Sequence, residues 1–91
     1  MEAARRYLVS GLVQGVGYRY FALKRAQERG VVGCAQNLPD GRVEIIAEGA
    51  NEALEALRGD LQVGPRFSKV SRVDEFPCVP TGHYRGFSII R

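Results

Sequence analysis

The chain is poor in the residues that metal centres and disulfide frameworks need. It has two cysteines, Cys34 and Cys78, one histidine, His83, and no tryptophan. Two distant cysteines and a lone histidine match no familiar Cys/His ligand spacing, so no metal is expected. Long hydrophobic runs are also missing, and the N-terminal stretch from Met1 to Arg6 lacks the apolar block of a signal peptide. The expectation is therefore a cytoplasmic protein without a membrane partner. In a reducing cytosol the two cysteines are expected as buried or incidental thiols rather than as a disulfide. Clustered charge of one sign is absent too. A net charge of +3 is spread from Arg5 to Arg91 and interrupted by Glu28, Asp40, Glu44 and Glu48. That pattern argues against nucleic acid and leaves a weak preference for small anions. Lys24, Arg25 and Arg29 are the densest basic group, which a solvated helix face explains. Lysine is otherwise found only at Lys69.

What is present suits one ordinary globular domain covering residues 1–91: 45% apolar and 25% charged residues, with no repeat or low-complexity tract. Residues 5 to 13 read as a strand, apolar on both faces (Tyr7, Val9 and Val13 against Leu8 and Leu12), which places it inside a sheet. A helix from Arg19 to Arg29 follows, closed by Gly30, with Tyr18, Ala22 and Ala26 as a thin buried stripe. Val31 to Leu38 and Arg42 to Gly49 are strands joined by the turn Pro39-Asp40-Gly41. The outer face of the second, with Glu44 and Glu48, is expected to be wet. A second helix runs from Asn51, expected as its N-cap, to Val63, burying Leu54, Leu57 and Leu61, and Gly64-Pro65 ends it. Phe67 to Phe76 is a strand in which Val70 and Val73, three apart, suggest a bulge. Tyr84 to Arg91 is a short last strand. The order βαββαβ predicts an α+β, ferredoxin-like two-layer sandwich, an antiparallel sheet with two helices on one face.

The segment from Gln14 to Arg19 concentrates the chemistry. Gly15 and Gly17 lie between a strand and a helix start, where backbone N–H groups lack internal partners and the helix dipole favours anions. Arg19 adds a planar fork of donors suited to phosphate or carboxylate. The glycine spacing matches neither a Walker loop nor a dinucleotide fingerprint, and on spacing alone a tight turn with a solvated arginine explains it as well.

The whole string Gly11-x-Val13-Gln14-Gly15-Val16-x-Tyr18-Arg19 resembles the first signature of the acylphosphatase family. Gly33-Cys34-Ala35-Gln36-Asn37, continuing through Gly41, Val43 and Gly49, is similar to its second. Gly64-Pro65 with Val70 and Val73, and Gly86-Phe87-Ser88-Ile89, are similar to further family positions. Cys34 departs from the aromatic residue usual beside Gly33, and Arg29 from the usual aliphatic one, changes expected to affect packing rather than catalysis. The resemblance implies hydrolysis of the carboxyl-phosphate anhydride of a small acyl phosphate, without cofactor or metal. It implies a phosphate held by the loop of Gln14, Gly15, Val16, Gly17, Tyr18 and Arg19, and water held by Asn37. Those residue types suit the chemistry. The departing carboxylate is a weak base, so positive charge at the phosphoryl oxygens and an oriented water suffice.

Plainer roles are weighed beside these. Arg19 can pair with a nearby acid, and Asn37 can cap the turn at Asp40-Gly41. Gln14 can bond the loop or face solvent. Tyr18 is expected in the core and His83 on the surface. The alternative function is an anion- or nucleic-acid-binding module without catalysis. An RNA-binding relative of the fold would need aromatic stacking residues on its central strands, and Val31 to Leu38 and Arg42 to Gly49 have none. A metal chaperone of this fold would need Cys-x-x-Cys after the first strand, and that loop has no cysteine. The same unit can also occur as a carbamoyl-phosphate-binding domain of a larger maturation enzyme. The copy of 91 residues is expected to work alone, as a monomer.

Overall fold

The computed structural model describes residues 2–91; Met1, where the expected domain begins, lies outside the described residues. Along the chain run β1 (Glu2–Leu12), α1 (Tyr18–Arg29), β2 (Val32–Asn37), β3 (Val43–Ala50), α2 (Asn51–Val63), β4 (Lys69–Cys78) and β5 (Phe87–Ile90). The expected order holds. The strands form one sheet in the order β4-β1-β3-β2-β5, with β1 inside it as its two apolar faces require.

Three pairings are antiparallel, but β5 runs parallel to β2, so the sheet is mixed where an antiparallel one was expected. The cause is parity. β4 and β5 occupy opposite edges, and the chain leaving β4 crosses the end of the sheet and turns back. Three antiparallel steps from β4 to β2 reverse direction once overall, so the returning β5 meets β2 in the same sense.

The core lies between the sheet and the helices. Tyr7, Val9, Val43, Ile45 and Ala47 point from the sheet into Leu54, Leu57 and Leu61 of α2 and Ala22 and Ala26 of α1. The alanines of α1 let that helix approach closely, and the leucines of α2 supply bulk. Gly30 closes α1 in a left-handed conformation, as expected, and the Val31 amide bonds back to the Ala26 carbonyl at 2.8 Å. Arg29, polar where the resemblance implies an aliphatic residue, grips Asp60 of α2 with two hydrogen bonds, Nε to Oδ2 at 2.8 Å and Nη2 to Oδ1 at 3.0 Å. A bidentate ion pair thus joins the helix ends in place of apolar packing.

The expected bulge is present: Ser10 faces Arg72 and Gly11 faces Val70, leaving Ser71 without a partner across the pair. Gly11 has φ 122°, and a Cβ there would collide with the Lys69 carbonyl and the Ser71 amide, so the bulge requires glycine.

Several local expectations are corrected. Asn51 is the first helical residue rather than the cap; extended Ala50 precedes it, and the Asn51 carboxamide oxygen accepts from Arg5 Nη2 at 3.2 Å. Phe67 lies outside β4 because Ser68 folds back on Pro65, its amide 3.0 Å from that carbonyl. The outer face of β3 is not uniformly wet. Glu48 is only 4% exposed, because the β4–β5 connection covers it. Its Oε2 accepts from the Thr81 amide and hydroxyl, both at 2.9 Å, and its Oε1 from the Gly82 amide at 3.1 Å. These donors, the Thr81 amide foremost, hold the carboxyl below its usual range. The same connection sets the Tyr84 hydroxyl 3.9 Å from the buried Cys34 thiol. A tyrosine of the connection thus meets β2 at the place where the resemblance predicts an aromatic residue.

Candidate active site

The parity that makes β5 parallel to β2 also gathers the site. β1, β2 and β5 run in one direction, so Leu12, Asn37 and Ile90 end at the same edge of the sheet, where α1 begins. A cleft of about 270 Å³ opens there, lined by Gly15, Gly17, Arg19 and Asn37, with Tyr20, Ile89 and Arg91 at its wall. Among the described residues no acidic side chain lines it, and two arginines do. The field within favours an anion.

The loop is built by two left-handed glycines. Gly15 has φ 76° and Gly17, the N-cap of α1, has φ 79°. No side chain caps the helix. Among the described residues the backbone N–H groups from Gly15 to Tyr20 have no hydrogen-bond partner; the first satisfied amide is Phe21, 3.0 Å from the Gly17 carbonyl. A run of open donors ends in the positive pole of a helix.

Arg19 does not pair with an acid: none of the ion pairs among the described residues includes it. Its Nη1 donates to the Ile90 carbonyl at 3.1 Å, so the last strand steadies the guanidinium while most of its donor fork stays open. Asn37 ends β2 opposite Val43, and its side chain makes no hydrogen bond among the described residues. It does not cap the turn. Asp40 does that itself, taking the Arg42 amide at 3.1 Å and Arg42 Nε at 2.8 Å. The polar character of Asn37 is left for the cleft.

The other polar side chains of the loop make their hydrogen bonds elsewhere. Tyr18 is buried, as expected, and its hydroxyl donates to the Leu61 carbonyl at 2.6 Å; burial raises its pKa, which keeps the phenol neutral. Val16 packs against the core. Gln14 bonds the β2–β3 turn rather than its own loop. His83 is exposed in the β4–β5 connection and does not line the cleft. Sequence reasoning missed Tyr20, Ile89 and Arg91 as cleft residues and the Ile90 carbonyl as the anchor of Arg19. Only the position of Tyr20, next to Arg19, carried a signal. The others are brought in by the parallel pairing of β5, which no local pattern encodes.

Comparison with known proteins points the same way. The family model described as acylphosphatase matches residues 5–89. An acylphosphatase of Thermus thermophilus is 58% identical over 67 residues, 74% of this chain and 76% of the relative. The crystal structure of acylphosphatase from Bacillus subtilis superposes with a TM-score of 0.94 at 38% identity, covering 100% of both chains. Full-length HypF, in its phosphate- and nucleotide-bound form, contains a similar unit, with a TM-score of 0.92 and 27% identity over 100% of this chain and 12% of that one. With an open amide loop, an arginine free of acids and a match running from β1 to β5, the chain belongs to the acylphosphatase family.

Proposed function

We propose that this acylphosphatase holds the phosphoryl group of its substrate in the loop from Gln14 to Arg19 and directs a water from Asn37 at phosphorus. The observation that carries this reading is the unpartnered run of amides from Gly15 to Tyr20, closing on an unpaired guanidinium with a free carboxamide in the same cleft. The amides and Arg19 meet the charge gathered on the phosphoryl oxygens. The Asn37 amide both donates and accepts, so it orients water without acting as a base. The carboxylate leaves as a weak base and needs no proton. The proton released by the attacking water goes to a phosphate oxygen or to solvent.

In this reading residues 1–91 act as one catalytic domain, as a cytoplasmic monomer on a small acyl phosphate. The outward face of β1 and β3, which carries Glu44 and the covered Glu48 and no aromatic residue for stacking, speaks against a nucleic-acid partner. Turnover separates this reading from a binding module. Inorganic phosphate should be released from an aryl acyl phosphate at an unchanged rate in EDTA. Arg19→Ala should lose about 10²- to 10³-fold in rate along with phosphate affinity. Asn37→Ala should lose mainly kcat. An Asn37→Ala enzyme with undiminished kcat would refute the role of the carboxamide.

A further inference from the structure

We propose that the side chain of Gln14 acts in positioning rather than as a phosphate ligand: it sets the distance between the Asn37 carboxamide and the phosphate loop. The inference rests on the roles of Asn37 and the loop proposed above. Gln14 stands at the start of the loop, half-buried, and reaches across to the β2–β3 turn. Its Nε2 lies 2.8 Å from the Leu38 carbonyl and 2.9 Å from the Arg42 carbonyl. A carboxamide nitrogen has two hydrogens, and both are used. The orientation is fixed by chemistry, because a flipped amide would set its oxygen against two carbonyl oxygens. The Gln14 side chain thus has no donor left for a phosphate. Its remaining polar atom is an acceptor, which an anion repels.

The two carbonyls it holds bracket the turn. The Leu38 amide donates to the Arg42 carbonyl at 2.8 Å, and the Gly41 amide to the Leu38 carbonyl at 3.1 Å. The turn therefore closes without Gln14, and the amide adds a tie from that closed unit to the loop. Leu38 is the neighbour of Asn37, whose side chain makes no hydrogen bond of its own among the described residues. The place of the Asn37 carboxamide relative to the loop is accordingly a backbone matter, and Gln14 is the side chain that joins the two backbones. Rate depends steeply on such a distance, whereas phosphate binding by the loop does not involve it.

The test is a cycle of Gln14→Met and Gln14→Glu with Asn37→Ala, each variant checked for folding by its thermal melt. Gln14→Met removes both donors at similar volume; Gln14→Glu keeps the shape but points an acceptor at the two carbonyls. Both should lower kcat by about 10- to 100-fold, Gln14→Glu more, given how sharply near-attack geometry governs rate. The inhibition constant of inorganic phosphate should stay within about twofold of wild type. Adding either change to Asn37→Ala should cost no further kcat, because the tie acts through that residue.

Weakened phosphate inhibition in step with the lost rate would put Gln14 on the anion and overturn the inference. Losses that multiply in the double variant, an undiminished kcat in Gln14→Met, or loss of the fold in both single variants would overturn it too. If Asn37→Ala itself keeps full rate, the reading of Asn37 fails and this inference with it. If Asn37→Ala is slow while the Gln14 variants are not, only the inference on Gln14 fails.

Discussion

Arg19 is held at one nitrogen by the Ile90 carbonyl, and that anchor orients the guanidinium without neutralising it. An acid in the same place would have competed with the substrate for the charge. The loop beside it depends on backbone shape more than on space. Nothing lies within 4 Å of a Cβ built on Gly17, so substitution there is penalised only by φ 79°. Gly17→Ala should therefore cost about 1–2 kcal/mol, the penalty of placing an L side chain in the left-handed region. Gly17→Asn should cost less, since asparagine visits that region more readily. Thermal melts should rank wild type above Gly17→Asn above Gly17→Ala, with about 4–8 °C for each kcal/mol in a chain of this size. Equal melting temperatures would show that the loop tolerates another conformation. That Gly15, Gly17, Arg19 and Asn37 line one cleft was legible in the sequence, because a glycine loop before a helix start and the two signature strings mark them. Their anchors were not. The Ile90 carbonyl and the two carbonyls bound by Gln14 are backbone atoms distant along the chain, and backbone atoms carry no identity.

The elements were read well where a local rule governs them. Gly30 caps α1, Gly64 ends α2, and the spacing of Val70 and Val73 marked the bulge at Ser71. The misreadings lie where a distant partner intervened. Asn51 was free to cap α2, but Arg5 takes its oxygen. Glu48 looked like a solvated strand residue, but Thr81 and Gly82 bury it. That carboxylate fastens the connection that delivers β5, and a pH effect follows. The folded pKa lies below the ordinary 4.5, so ionised Glu48 contributes stability that is fully present above pH 4.5 and is lost as pH falls through the folded value. Glu48→Gln should be less stable near neutrality by about 1–3 kcal/mol, since it mismatches donors that now meet a charged acceptor. The gap from wild type should narrow on acidification below pH 4.5, once the wild-type carboxylate protonates. Chemical denaturation at neutral and acid pH checks this, and a gap that stays constant would remove Glu48 as the fastening group.

At the scale of the molecule, one topological fact organises the rest. The alternation of elements disclosed the sandwich, yet the direction of β5 was hidden, because parallel pairing follows from the path of the whole chain and not from any segment. That direction brings Ile89 and Ile90 to the edge where β1 gives way to the loop and β2 ends at Asn37. It also leaves the opposite face of the sheet to the connection that covers Glu48 and Cys34, so the proposed anion site and this structural fastening are separated on the two sides. The main chain from Gly15 to Tyr20, with Arg19, is the proposed anion site. Titration of the ¹⁵N-labelled protein with inorganic phosphate, followed amide by amide, tests it most directly. Saturable shifts should centre on residues 15–20 and largely vanish in Arg19→Ala; shifts centred elsewhere, with those amides unmoved, would place the anion at another site.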